Sequence, residues 1–259
     1  MNKTYKIIAQ GDVNQFIKIY KKQTHGFNLD REGYNLLHYA SIAGQIEIID
    51  FLLKNGVDID LLSKDGYSSI VYAIINRHND VIKYFLDNGF IKRGTNDFLA
   101  LITASSDNQI DILETLVEAG LDINEKDQDG TCFSPLHYAA QEGHFGIVKY
   151  LIERGAEINM VDNNGLSPLR MASDHKHYEI VQYLINYGAK INLGGALHNA
   201  CAWGRLKTVK FLIDNGADIN AIDEEGKTPL FYALSSESKS IISVLLKKGA
   251  NPALTYVQP

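Results

Sequence analysis

Arg154-Gly155-Ala156-Glu157-Ile158-Asn159 is one phrase of a set, repeated as Tyr187-Gly188-Ala189-Lys190-Ile191-Asn192 and as Asn215-Gly216-Ala217-Asp218-Ile219-Asn220. Earlier copies stand at Asn55-Gly56-Val57-Asp58-Ile59-Asp60 and Ala119-Gly120-Leu121-Asp122-Ile123-Asn124, and the last reads Lys248-Gly249-Ala250-Asn251-Pro252. Gly56 and Gly89, Gly155 and Gly188, and Gly216 and Gly249 are each 33 residues apart. A period of that length marks a stack of like supersecondary units, each burying its apolar face against its neighbours. The 259 residues therefore read as a single continuous domain, although length alone would allow two.

Outward from the phrase, one unit can be read completely. Asp127-Gln128-Asp129-Gly130 has turn chemistry. Ser134-Pro135 opens a helix, with Ser as N-cap and Pro at the first helical position. That helix runs to Gly143, and a second one, from His144 to Arg154, carries Ile147, Val148, Leu151 and Ile152 on one face before Gly155 stops it. Gly11 and Gly44 are also 33 residues apart, so the chain start aligns with the same template. Its Lys18, Lys21 and Lys22 make it the more polar end unit that a stack needs.

Composition narrows the function classes. Apolar residues are 45% and charged residues 22% of the chain, ordinary values for a globular protein. A net charge of −6 and a pI near 5.7 argue against nucleic-acid binding, which calls for a basic stripe. Cys132 and Cys201 are the only cysteines and fall in different units, which fits a reducing compartment and no disulfide framework. Ile7-Ile8-Ala9 is too short for a signal-peptide core, and no apolar run reaches a membrane span. The expected location is cytoplasmic, or a host cytosol for a secreted effector.

Ser134-Pro135-Leu136-His137-Tyr138-Ala139-Ala140, Thr228-Pro229-Leu230 and the Gly-Ala-x-Ile-Asn endings together resemble the ankyrin repeat family over essentially the whole chain. The resemblance implies an all-α fold with β-hairpin fingers: an ankyrin-repeat α-solenoid made of an N-terminal helix-pair cap and seven repeats. The cap covers 1–29. The repeats cover about 30–62, 63–93, 94–126, 127–161, 162–192, 193–222 and 223–259. Two repeats depart from the pattern. The third has no Asp-x-x-Gly turn, and the sixth is short, with 28 residues from Gly188 to Gly216 and Leu193-Gly194-Gly195 leading almost directly into its helix. Notches in the finger row are expected near 90–100 and 192–196. Cys132-Phe133 is an insertion in the fourth repeat, and Arg77, Lys176 and Glu237 replace the glycine between helices in three others.

No residue set promises chemistry. His38, His137 and His198 share one template slot, where the resemblance implies bonds to backbone groups of loops and neighbouring repeats. His175 and His177 flank a turn without a third ligand, a poor zinc site. There is no Ser/His/Asp signature, phosphate loop or Cys-x-x-Cys, and Gly194-Gly195 lacks the strand and Lys of a phosphate cradle. Neither an enzyme nor a cofactor nor a metal is expected.

What remains is surface. The resemblance implies that finger tips and exposed first-helix positions face a partner. By template these are Arg31, Glu32, Tyr34, Lys64, Tyr67, Gln128, Asp129, Asn164, Leu166, Glu224 and Glu225 on the fingers. On the first helices they are Ile75, Asn76, Asp107, Glu142, Asp174 and Trp203, and Phe133 joins them from the insertion. Tyr34, Tyr67, Phe133 and Trp203 are the candidate anchors, with inter-repeat packing as the competing role. Trp203, the sole Trp, is expected beside the missing finger. The carboxylates favour a partner with a basic face. The expected function is a non-catalytic scaffold, acting as a monomer, that binds another protein in a groove of fingers and first helices, with no nucleic acid and no membrane. A bacterial effector, an immunity protein masking a toxin, and a eukaryotic or viral adaptor all fit, and a small-molecule or peptide reader with a pocket near the notch is the alternative class.

Overall fold

The structure is a computed structural model that describes residues 3–22, 30, 33–91, 98–127 and 131–254. These residues form two compact units, 1–122 and 123–259, which divide close to the boundary between the third and fourth repeats. Of the expected site residues, Arg31, Glu32, Gln128 and Asp129 lie outside the described residues, as does most of the notch expected near 90–100.

In the first unit the helices are α1 (Lys3–Gln10), α2 (Val13–Tyr20), α3 (Leu36–Ile42), α4 (Ile46–Lys54), α5 (Ser69–Ile75), α6 (Asn79–Asp87), α7 (Phe98–Ser106) and α8 (Ile110–Glu118). α1, α3, α5 and α7 pack side by side in that order, and α2, α4 and α6 form a second row behind them. The second unit repeats the plan. Its front row is α9 (Pro135–Glu142), α11 (Pro168–Asp174), α13 (Ala196–Ala202) and α15 (Pro229–Ser235). Its back row is α10 (Phe145–Glu153), α12 (Tyr178–Asn186), α14 (Leu206–Asp214) and α16 (Lys239–Lys247). Each unit is thus an α-solenoid of helix pairs. The front helices are short and start where the sequence puts a cap: Ser167 and Thr228 accept the backbone N–H of Arg170 and Phe231, with Pro next in line. Alanines such as Ala139, Ala172, Ala200 and Ala233 are fully buried between front helices, where a larger side chain would push the rows apart.

The fingers are tight turns. Asp162 and Asp223 donate their backbone N–H to the carbonyls of Leu166 and Lys227, 3.0 Å away in both, while their carboxylates accept the N–H groups of the same turn. Tyr39, Tyr138 and Tyr232 then tie finger to helix, each donating its hydroxyl to the finger aspartate at 2.6, 2.9 and 2.6 Å. The carboxylates are structural acceptors, as their turn position implies. Among the described residues no strand is formed.

The repeated phrase has a direct physical meaning. Asn124 accepts the N–H of Glu157 at 2.8 Å, Asn159 that of Lys190 at 2.7 Å, Asn192 that of Asp218 at 2.9 Å and Asn220 that of Asn251 at 2.8 Å. Each Asn of Gly-Ala-x-Ile-Asn therefore holds residue x of the following copy. Asn159 and Asn220 also donate to the carbonyls of Gly188 and Gly249 at 3.3 Å.

The glycine between paired helices is read by the next repeat. At Gly143, with φ 81°, an added Cβ would stand 2.3 Å from Cε1 of His177, whose Nε2 donates to the Gln141 carbonyl at 2.9 Å. His78 sits the same way over Gly44 and donates to Ile42 at 2.9 Å. Arg77, Lys176 and Glu237 keep the left-handed turn, with φ 59°, 71° and 52°, but the shape that glycine alone allows is not needed there. Hence two expectations. Asn159→Ala should cost about 1–2 kcal/mol in chemical denaturation, because it leaves the Lys190 N–H and the Gly188 carbonyl unpaired. Gly143→Ala should cost about 2 kcal/mol or more from strain and collision, against about 0.5 kcal/mol or less for Lys176→Ala at the same turn. Equal costs for the last two would refute the imidazole as the reason for the glycine.

Candidate functional site

The histidine slot is occupied as the resemblance implied. His38, His137 and His198 donate from Nε2 to the carbonyls of Leu61, Leu166 and Ala221, around the start of the next repeat, at 2.9, 3.1 and 2.9 Å. A carbonyl only accepts, so the proton is on Nε2 and Nδ1 is a bare acceptor. In His38 and His137 that acceptor takes the N–H of the helix cap, Asn35 or Ser134, at 3.1 Å in both. In His198 nothing among the described residues donates to it. The cap there is Gly195, in the left-handed conformation with φ 69° and with no cap hydrogen bond. Burial holds all three imidazoles below their ordinary range, His137 at about 4, because there is little water to solvate a cation. His175 bonds its own helix at Met171 and His177 reaches Gln141, so each side chain has a structural partner. Among the described residues no group of three or more His, Cys, Asp or Glu side chains gathers to hold a metal ion.

The expected surface residues divide into those engaged by their own unit and those left open. In the first unit Tyr34 is half-buried, packed on Tyr39 and Tyr72 with ring centroids 5.4 and 5.5 Å apart, and donates its hydroxyl to Asp65. Tyr67 meets Tyr72 edge-on at 5.8 Å. The Asn76 amide donates to Tyr72 in its own helix at 2.8 Å, and the stem of Lys64 covers Gly33. Ile75 and Asp107 are exposed.

In the second unit Phe133 stacks on His137 with centroids 5.5 Å apart, and Leu166 is half-buried with its carbonyl taken by His137. Asp174 accepts from Arg170 at 3.1 Å and from Asn199 at 2.7 Å, a partly buried pair. Glu142, Asn164, Glu224 and Glu225 are exposed, although Glu142 accepts from Gln141, Asn164 donates to Asp162 and Glu225 pairs with Lys227. Trp203 is 61% exposed, the largest value among the exposed large hydrophobic residues. It follows α13, whereas Gly195 precedes it, so a seven-residue helix, about 10 Å long at its usual rise, separates the tryptophan from the notch. Trp203 is therefore not beside the missing finger, because a front helix runs from the finger base to the turn between helices.

The notch itself is real. Leu193–Gly195 forms a single 3-10 turn, and a cavity of about 460 Å³ opens over it, walled in part by Leu166, Arg170, Gly195, His198, Ile222 and Glu224. Arg170 is fixed at its edge by Asp174 and by the Gly194 carbonyl. Sequence reasoning missed Ile222, 50% exposed at this cavity, because the template treats that position as an ordinary turn residue.

Paired helices stacked through polar bonds between repeats, with the side chains of front helices and turns left outward, define a helical-repeat protein. The chain belongs to the ankyrin repeat family: a family model for ankyrin repeats in three copies matches residues 37–127 and 101–195, and one for ankyrin repeats in many copies matches 197–246. A putative ankyrin repeat protein of Fowlpox virus (strain NVSL) is 31% identical over 140 residues, covering 53% of this chain and 99% of the relative. Human transient receptor potential cation channel subfamily A member 1 is 41% identical over 126 residues, 45% of this chain and 11% of the channel. An L-asparaginase of Dirofilaria immitis is 32% identical over 157 residues, 59% of this chain and 26% of that protein, in an ankyrin-domain match. The chain thus spans about a quarter or less of the length of several relatives it matches. Ankyrin repeats generally mediate protein–protein interaction. No described helix is long and apolar enough to cross a membrane.

The buried imidazoles give a pH signature. Folded His137 stays neutral down to about pH 4, whereas the unfolded chain takes up its proton near pH 6.5. Between those values the unfolded state binds more protons, so stability is highest above pH 6.5 and falls toward pH 4, by about 2 kcal/mol at pH 5 from this residue. An NMR titration should show His137 unprotonated at pH 5. A midpoint near 6.5 would refute the burial assigned to it.

Proposed function

We propose that this chain is a non-catalytic module that holds a protein partner against the outward side chains of its front helices and turns. The observation that carries the reading is Trp203: the only tryptophan of the chain, 61% exposed at the end of α13. Exposing a large aromatic ring to water is unfavourable, and such rings are the usual anchors of interfaces. Its helix is backed by the fully buried Ala200 and Cys201, so the ring is presented from a rigid base and little entropy is lost on docking. The exposed carboxylates Glu142, Glu224 and Glu225 favour a partner with a basic face, through steering of the encounter. Tyr34, Tyr67 and Phe133 contribute chiefly as packing that shapes the surface, since their rings lie on neighbours of their own unit. Two free thiols, with that of Cys201 pushed up to about 12 by burial, suit a reducing compartment such as a cytosol.

The tryptophan also supplies the assay. Titrating a partner isolated with the wild-type protein should shift the emission of this single fluorophore. Trp203→Ala should leave the thermal melt unchanged and weaken affinity more than about tenfold. Unchanged affinity would remove Trp203 from the interface, and silent emission with measurable binding would place the partner elsewhere.

A further inference from the structure

The cavity over Gly194-Gly195 exists because the sixth repeat is short. Fourteen residues separate Gly155 from Leu169 and Gly216 from Leu230, but nine separate Gly188 from Leu197. Five residues of finger are missing, while the phrases on either side stay joined through Asn192 and Asp218 at 2.9 Å. The stack does not close over the gap, and the room of one finger remains open.

Three features mark the gap as a receiving site. His198, 7% exposed, lines it and keeps an Nδ1 acceptor with no partner among the described residues. In the first and fourth repeats that acceptor holds a backbone N–H at 3.1 Å. Here it lies 3.7 Å from where a Cβ on Gly195 would stand and is itself closed off from solvent, so a donor reaches it only if the wall at Gly195 moves. A buried acceptor left empty costs free energy, and the cost is recovered when a donor arrives. The second feature is charge: Asp223, Glu224 and Glu225 stand on one side, and the nearby cations are already held, Arg170 by Asp174 and Lys227 by Glu225. Asp223 is bonded within its turn and to Tyr232, so the exposed Glu224 is the carboxylate that faces a newcomer. The third is the apolar pair Leu166 and Ile222, which offers contact to an aliphatic stem.

We propose that this cavity receives a short extended segment of the protein partner that carries a lysine or arginine and takes the place of the missing finger. Its N–H supplies His198 Nδ1 with the bond that Asn35 and Ser134 make in their repeats, as Gly195 shifts to admit it. Its cationic head lies toward Glu224. The proposal rests on the interaction reading above and names the part of the partner that enters the chain.

The test is an NMR titration of the histidine-labelled full chain with acetyl-Thr-Lys-Gly-Lys-Thr-amide, beside the same peptide with Glu in place of Lys. His38 and His137 are internal references for a hydrogen-bonded Nδ1. The Lys peptide should move the His198 Nδ1 resonance saturably toward theirs, and the Glu peptide should not. Glu224→Gln, at an exposed position, should raise the midpoint at least about threefold. A chain in which Gly194-Gly195 is replaced by the sequence of residues 161–167, rebuilding a finger with Ser at the helix cap, should fold and give no response. A His198 that ignores the Lys peptide, responds equally to the Glu peptide, or responds unchanged in the rebuilt chain overturns the proposal. An equal response to lysine amide alone also overturns it, since the occupant would then be a small amine. The titration uses no partner, so its failure leaves the Trp203 assay standing, and loss of partner binding in Trp203→Ala leaves the His198 response intact.

Discussion

The Asn of each phrase accepts an N–H from the following phrase, and this short bond sets the pitch of the second unit. Because both ends belong to the same six positions, the spacing between phrases is constant in space whatever lies between them in sequence. The sixth repeat makes the point. It is five residues shorter than its neighbours from phrase to front helix, yet Asn192 reaches Asp218 at the same distance as its counterparts. A deletion in such a chain cannot shorten the stack. It is expressed as a gap in the finger row, and the cavity over Gly195 is the consequence.

A second set of bonds works at the other end of the front helices. Nε2 of His38, His137 and His198 ties these front helices to the chain around the start of the next repeat, and His78 and His177 reach back to the preceding front helix across a glycine. These are largely buried polar contacts in a fold whose apolar burial is spread thinly, repeat by repeat. An unsatisfied buried group costs more than a satisfied one contributes, so such bonds fix the register of neighbours more than they add to stability. They also give a reason for the inter-helix glycine in two repeats. Gly44 and Gly143 lie under an imidazole, whereas Lys176 has the same backbone turn without one.

The fold was legible because its determinants are local: turn aspartates, Ser-Pro and Thr-Pro caps, and apolar residues at helical spacing all fall inside one period. The loss of glycine at Arg77, Lys176 and Glu237 was visible in the sequence, but its reason was not, since it depends on which side chain of the next repeat approaches. The candidate surface was legible only in part, for the same reason. A template predicts which positions point outward, and Trp203, Glu142 and Glu224 do. It does not predict that Tyr34 and Tyr67 converge on Tyr72, or that Phe133 turns onto His137. Those outcomes depend on the exchange of large side chains between adjacent repeats. The position of Trp203 failed differently. Nearness in sequence to Gly195 was read as nearness in space, but the two flank a helix from opposite ends.

That separation matters for recognition. One end of α13 presents an apolar ring to water, and the other adjoins an acidic cavity with an empty acceptor. A flat aromatic contact tolerates many partners, because dispersion and area are not directional. A buried acceptor does not, because it rewards only a donor placed along its lone pair. About 10 Å of rigid helix between them, at the usual helical rise, turns two modest contacts into a distance requirement. If both proposals hold, a partner spans that length with a basic, extended segment at one end and a surface for an indole at the other. Specificity in such a surface comes from the spacing held by the stack, which returns the argument to the asparagines that set it.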